Sequence, residues 1–166
     1  MPADLRYPIG PFKKPESLTP DRRRAAIEDI AAAPAKLRAA VTGLTPEQLG
    51  TPYRPGGWTV RQVAHHVPDS HLNAYVRMKL AITEDEPTIK TYEEKRWAEL
   101  ADATGADVEM SLRLLESLHQ RWVLFLRSLA AQDFARRLKH PELGPITMDT
   151  LLALYAWHGK HHVAHV

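Results

Sequence analysis

The chain contains no cysteine among its 166 residues. It therefore has no disulfide framework, no thiolate metal ligand and no thiol nucleophile of its own, so any reacting thiol must come from outside. Long apolar runs are also missing, and no basic segment followed by an apolar one opens the chain. We therefore expect a cytoplasmic protein without a membrane partner.

Positive and negative charges are nearly balanced, with a net charge of +2 when histidine is neutral. The short basic clusters at 22–24 and 136–137 have acidic neighbours such as Glu28 and Asp29, which is typical of solvated helix faces. Nucleic-acid-binding proteins usually carry a larger basic stripe, so no nucleic-acid partner is expected. Length and composition predict a single domain over residues 1–166.

Histidine is abundant, with nine residues, four of them in the C-terminal segment WHGKHHVAHV. On a helix His158 and His162 share one face, and His161 and His165 have the same spacing. At about 100° per residue, His158 and His162 lie on the apolar stripe that contains Tyr155. His161 points toward a flank, and His165 is close to a fraying helix end. The pattern therefore favours His158 and His162 as inward metal ligands.

A third ligand is expected from the segment RQVAHHVPDSH. His65 lies opposite the apolar residue Val67, whereas His66 and His71 both lie toward the apolar side. Periodicity favours His66 over His71 by a small margin and leaves both open. The alternatives to a metal site are structural core histidines and a histidine pH switch or partner surface.

Helix start signals recur along the chain as a threonine followed by proline or by Glu or Gln three residues later. An amphipathic stretch predicts a long helix over 107–129, and another helix is expected to run into the C-terminal histidines. The segments TPYRPGG and KHPELGPI are predicted loops because they contain proline and glycine. Four long helices joined by loops predict an all-α bundle. The predicted helix starts are Thr19, Thr45, Thr59, Thr91 and a position near Thr147.

The segment GGWTVRQVAHHVPDSHLN, with YPIG near the start and LYAWHGKHHVAHV at the end, resembles YfiT-like proteins of the DinB-like superfamily. The resemblance runs from Tyr7 to Val166. It implies a DinB-like four-helix bundle with short extra helices, and a homodimer. It also implies one divalent metal ion, Zn or Ni before others, held by His66, His158 and His162.

The resemblance further implies an enzyme. The first expectation is a metal-dependent transferase that conjugates a low-molecular-weight thiol of the bacillithiol type, its co-substrate, to small-molecule electrophiles. The second is a metal-dependent hydrolase that uses a metal-activated water. From a different class, the chain would be a non-catalytic metal-binding stress protein. Three histidine ligands leave coordination positions open, which is typical of catalytic rather than structural zinc sites.

Several further residues are candidates for the site. Asp69 is expected to orient an imidazole by accepting its second N–H. Trp58 is expected to pack in the core, where it would form a hydrophobic staple at the start of its helix. The residues expected to bind the carboxylates of an acidic thiol are Arg54, Arg61, Tyr155 and Lys160.

Two features depart from the related sequences. Gly159 and Lys160 stand where relatives tend to have a serine and a further histidine, and Gly159 is expected to leave room beside the metal. Pro68 follows His66 by two residues. Because proline removes an amide donor and clashes with the preceding turn, we expect a kink or widened turn that re-aims His66.

Overall fold

The computed structural model describes residues 4–166, most of which lie in helices. A small antiparallel hairpin interrupts the helical order before the last helix. In chain order the elements are α1 (Pro20–Val41), α2 (Pro46–Leu49), α3 (Val60–Thr83), α4 (Glu94–Trp97), α5 (Ala101–Thr104), α6 (Val108–Ser128), a 3₁₀ turn (Ala131–Ala135), β1 (Arg137–His140), β2 (Gly144–Thr147) and α7 (Met148–Val163).

The four long helices form the predicted bundle. Both α1 and α3 pack against α6 and α7, so the order around the bundle is α1, α6, α3, α7. The side chains of Ile30, Met78, Leu115, Trp122 and Leu151 are almost fully buried between them. Their burial is the main driving force for assembling the four helices. Among the described residues, no helix combines the length and apolar character needed to cross a bilayer.

Most helix starts follow the predicted capping signals. The Thr19 side chain accepts a hydrogen bond from the Arg22 amide at the start of α1, and Thr147 caps α7. Complete capping boxes begin α2 at Thr45 and α3 at Thr59, as predicted. Such caps satisfy amides that have no partner within the helix.

The capping box predicted at Thr91 is wrong. Helix α4 begins only at Glu94, and its preceding residue makes no side-chain cap. The chain just before Thr91 is held extended against β1, because the Ile89 amide donates to the Lys139 carbonyl at 3.1 Å. A tertiary contact has overridden the local helix signal.

The predicted loop KHPELGPI is also wrong, because much of it forms the hairpin of β1 and β2. Leu138 pairs with Ile146, and both side chains are buried in the bundle core. Gly144 starts β2 with φ of 69°, a conformation that favours glycine. The strands have four residues each, too few for a clear alternating pattern in the sequence.

Helices α1 and α3 each contain an internal proline, Pro34 and Pro68. Neither proline has an N–H group, so the carbonyls of Ile30 and Ala64 lose their helical donors. The helices nevertheless continue over 22 and 24 residues. The predicted re-aiming of His66 by Pro68 stays a prediction.

Candidate metal centre

Three histidines from two helices converge at one end of the bundle. His66 lies in the second turn of α3, and His158 and His162 lie one turn apart on α7. One ring nitrogen of each lies within 4.8 Å of the others. The structure therefore brings together the three residues predicted as metal ligands. Their spacing on α7 follows from the helical repeat, which places residues i and i+4 on one face.

The three histidines line a cavity of about 290 Å³. Trp58 also lines it, with its ring centroid 4.7 Å from that of His66. Sequence reasoning assigned Trp58 to the core, but its side chain is only partly buried and forms a wall of this cavity. The cavity is therefore closed on one side by an aromatic surface.

Burial keeps these imidazoles neutral. It lowers the pKa of His66 to about 4, and it lowers the pKa values of His158 and His162 well below the usual range with the help of the surrounding histidines. A histidine must be neutral to offer its nitrogen lone pair to a metal. The cluster therefore fits a divalent cation, and all-histidine donors suit zinc, nickel, iron or copper.

A chain of hydrogen bonds runs from His158 into the core. His158 Nδ1 lies 3.0 Å from His71 Nε2, and His71 Nδ1 lies 2.8 Å from His119 Nε2. His119 Nδ1 lies 2.6 Å from the carbonyl oxygen of Ile30 on α1. We call His158, His71 and His119 the histidine relay. His71, which the sequence left open as a third ligand, is a member of this relay.

The relay fixes where the proton sits on each ring. A carbonyl oxygen only accepts, so His119 Nδ1 must donate to Ile30. Burial lowers the pKa of His119 to about 4 and that of His71 below its usual value, so both rings are neutral. His119 Nε2 then accepts from His71 Nδ1, and His71 Nε2 accepts from His158 Nδ1. This leaves His158 Nε2 without a proton, as a metal ligand requires.

A second histidine group overlaps the first at His162. His161, His162 and His165 each place one ring nitrogen within 4.8 Å of the others. His161 stacks on Trp157 at 4.2 Å, and His165 stacks on Tyr53 at 4.1 Å. Sequence reasoning placed His161 on a flank and His165 at a frayed end, whereas both rings are buried.

The remaining predicted site residues divide into one that lines the cavity and several that do not. Tyr155 is buried and lines it. Arg54 packs on Tyr53, and Arg61 donates to the carbonyl of Ala106 at 2.7 Å.

Asp69 and Lys160 also lie apart from the cavity lining. Burial, with the charge of Asp102, raises the pKa of Asp69 to about 6. Asp69 does not belong to either histidine group in the described part of the chain. Lys160 pairs with Asp29 on α1 at 2.7 Å. The structure therefore gives Lys160 a helix-packing contact, and places it away from the three histidines.

Gly159 does not leave room beside the metal ligands, contrary to the expectation. A Cβ atom at this position would lie 3.1 Å from Ala33 Cβ and 3.6 Å from His71 Cε1. The glycine therefore faces α1 and the relay, where it allows two helices to approach closely.

Arg77 was not predicted as a site residue, but it is buried and lines the cavity. A signal was present, because Arg77 follows His66 by eleven residues. At about 100° per residue, this spacing returns to within about 20° of the same helix face.

Comparisons with known proteins agree with this geometry. A Bacillus cereus (strain 03BB102) protein described as a proposed metal-dependent hydrolase is 51% identical over 163 residues, covering 98% of this chain and 94% of that protein. A protein of Bacillus thuringiensis subsp. konkukian (strain 97-27) with the same description matches at the same identity and coverage.

Solved structures show the same architecture. YfiT from Bacillus subtilis, described as a proposed metal-dependent hydrolase with an unusual four-helix bundle topology, superposes with a TM-score of 0.96 at 48% identity, covering 99% of this chain and 94% of YfiT. TT2238, a four-helix bundle protein, has a TM-score of 0.59 at 22% identity, over 85% of this chain and 94% of that one, and supports the fold alone. The sequence profile of the DinB superfamily matches residues 29–166. The chain belongs to the DinB superfamily.

Proposed function

We propose that the protein is a metal-dependent transferase that joins a low-molecular-weight thiol of the bacillithiol type to small electrophiles. The observation that carries this proposal is the convergence of three neutral imidazoles, His66, His158 and His162, on one cavity. Three histidine ligands leave coordination positions for a substrate. The chain has no cysteine, so an external thiol would supply the sulfur.

The reaction is a nucleophilic substitution. When bound, a divalent cation supplies Lewis acidity that lowers the pKa of a contacting thiol or water. The thiol loses its proton, its sulfur forms a bond to the electrophilic carbon, and the leaving group departs with its bonding pair. The products are a thioether, the leaving group and one proton, and no oxidant or reductant is required.

The side chains around the histidines hold and shield the reactants. The Ser70 hydroxyl lies 3.4 Å from His158 Nε2, and the buried Tyr155 ring lines the same cavity. The Trp58 ring packs on that of His66, with the two centroids 4.7 Å apart. The relay holds His158 in the tautomer that leaves Nε2 free.

Hydrolysis is the second candidate, and the descriptions of the Bacillus relatives favour it. The same open site would then receive a water in place of the thiol. A non-catalytic metal-binding role is the third candidate, and it predicts metal binding without turnover.

A thiol-dependent assay separates these candidates. Metal-loaded protein is incubated with monobromobimane and bacillithiol, cysteine or no thiol, and bromide release is followed. The transferase predicts release that needs both the metal and the thiol and that falls at least about 100-fold in His162→Ala, as expected for loss of a metal ligand. Activity that ignores the added thiol would overturn the transferase and favour the hydrolase.

Metal content tests the site itself. His66→Ala, His158→Ala and His162→Ala are each expected to lose the bound metal, whereas His65→Ala is the matched control. His65 neighbours His66 in sequence, but it bonds to Ser111 and the Ala106 carbonyl, away from the cavity. Equal metal content in all four variants would contradict the site. Analysis of protein purified without added metal would identify the native ion. Homodimer formation stays a prediction.

A further inference from the structure

Arg77 is a buried guanidinium that the protein leaves without a carboxylate partner. Its residue is 7% exposed, and none of the ion pairs within residues 4–166 includes it. Its Nη2 donates to the Lys90 carbonyl at 2.8 Å, and its buried Nε has no hydrogen-bond partner. Arginine is rarely fully buried unless it is paired, because burying an unpaired charge is unfavourable. The arrangement indicates an anionic ligand.

Arg77 stands where the metal cavity meets a second cavity of about 340 Å³, and it lines both. His140 also lines both. Its Nδ1 accepts hydrogen bonds from the amides of Glu142 and Leu143 at 3.2 and 3.3 Å. The neutral ring therefore carries its proton on Nε2 and has one donor to offer. Arg77 and His140 together supply the donors that bind a carboxylate.

Polar side chains line the metal cavity between Arg77 and the histidine ligands. Ser70 and Tyr155 line this cavity together with Arg77, and the Tyr155 ring lies 5.6 Å from that of His158. Ser70 in turn places its hydroxyl 3.4 Å from His158 Nε2. A ligand in the metal cavity can therefore contact the histidines and Arg77 together.

Acidic residues limit the direction from which an anion can approach. The second cavity is bordered by Glu93, Glu94 and Glu142, which disfavour an anion there. Glu94 also lines the metal cavity, where the positive charge of Arg77 opposes the rise that burial causes in the Glu94 pKa, but the two side chains form no ion pair within residues 4–166. Because one carboxylate lines the metal cavity and three line the second cavity, an anionic group is better accommodated on the side of Arg77 that faces the histidine ligands.

We propose that Arg77 and His140 form a carboxylate-binding subsite of the metal cavity, and that the thiol substrate carries a carboxylate that binds there. This inference rests on the proposed thiol transfer and names the chemical class of the thiol. Arg77 is a binding residue for the carboxylate, which orients the sulfur toward the three histidines.

The test compares two thiols that differ only in charge. Protein loaded with cobalt(II) is titrated with 3-mercaptopropionate and with 3-mercaptopropionamide, and binding is read from the charge-transfer absorption of the cobalt–sulfur contact. Wild type is expected to bind the carboxylate about 10- to 100-fold more tightly than the amide, the range for a hydrogen bond to a charged group. Arg77→Met is expected to bind both equally, and Arg77→Lys to retain part of the preference.

Arg136→Met is the matched control, because the Arg136 guanidinium donates to the carbonyls of Ala81 and Glu84, outside the cavity. It should keep the full preference. Unfolding midpoints are measured for all variants to identify any that fold poorly. If Arg77→Met folds poorly, the comparison of the two thiols is made with Arg77→Lys.

The outcomes separate this inference from the proposed function. If wild type binds both thiols equally, or Arg77→Met keeps the preference, the subsite is overturned while thiol binding stands. If neither thiol alters the cobalt spectrum, thiol transfer fails, and succinate replaces the thiols as the probe. Succinate binding by wild type and its loss in Arg77→Met would then support the subsite, and equal binding by both proteins would overturn it.

Discussion

His119 shows how a residue that touches no substrate can set the chemistry of one that does. It joins the Ile30 carbonyl to His71, and through His71 it determines which nitrogen of His158 carries the proton. Groups that orient metal-bound histidines typically alter metal affinity by about 10- to 100-fold when they are removed.

We therefore predict that His119→Leu weakens metal binding by about 10- to 100-fold, because His71 loses its acceptor and the tautomer of His158 is no longer fixed. His119→Gln should keep most of the affinity, since its amide can donate to Ile30 and accept from His71. Competition with a chelator measures the affinity, and nitrogen-15 shifts of the imidazoles report the tautomer. Equal losses in both variants would indicate a packing role alone.

The three proposed metal ligands could be predicted from the sequence, whereas Arg77 and the relay could not. His158 and His162 follow from helical periodicity, and His66 follows from periodicity together with the family motif. Arg77 and the relay were missed because their roles depend on contacts between helices. The 2.8 Å contact between His71 and His119 joins residues 48 positions apart, and no local pattern encodes it.

The close contact between helices α1 and α7 depends on Gly159. A side chain here meets Ala33 on α1 at a distance that leaves little space. The sequence suggested that this glycine served the metal site, because only the packed bundle reveals which helix it faces. The hairpin of β1 and β2 was missed for a similar reason, since its pairing is stabilised by burial of Leu138 and Ile146 against the bundle.

We predict that Gly159→Val lowers the free energy of unfolding by about 1–3 kcal/mol, the usual cost of overpacking. The added methyl groups must displace Ala33 or the His71 ring. Urea unfolding followed by circular dichroism measures the change. Ala164→Val, at an exposed position beyond the end of α7, is the control. Equal stability of the two variants would mean that α1 and α7 tolerate the added volume.

For the whole molecule, buried neutral histidines make stability depend on pH. Burial lowers the pKa values of His66, His119 and His161 to about 4 in the folded protein, from 6.5 for an exposed histidine. As pH falls below 6.5, the unfolded chain gains protons that the folded chain does not, so folding becomes less favourable.

In the metal-free protein, the contribution of these histidines to the free energy of unfolding is therefore expected to be constant above pH 6.5. It is expected to decrease progressively between pH 6.5 and about 4. Urea unfolding at pH 7.5, 6 and 5 tests this prediction. His119→Gln removes one of the groups and should show a shallower dependence. A free energy of unfolding that does not change from pH 7.5 to 5 would contradict the burial of these histidines in the neutral state.

Metal removal should also act on the whole molecule, because the ligands join α3 to α7. A metal that binds only the folded state at 100 times its Kd adds about 2.7 kcal/mol to the free energy of unfolding. Thermal unfolding with and without a chelator should show this difference in wild type and not in His162→Ala. Stabilisation of both proteins by equal amounts would place the bound metal elsewhere.

Pro34 has a consequence that reaches far beyond its own helix. Because Pro34 has no N–H group to donate to the Ile30 carbonyl, that carbonyl of α1 can accept a hydrogen bond from the His119 side chain of α6. Because this carbonyl only accepts, each imidazole of the relay donates from Nδ1 toward α1. Each Nε2 is therefore unprotonated and faces the cavity side of the relay. A residue usually regarded as a helix breaker thus sets the direction of a hydrogen-bonded path through α6, α3 and α7, which ends at the unprotonated Nε2 of His158.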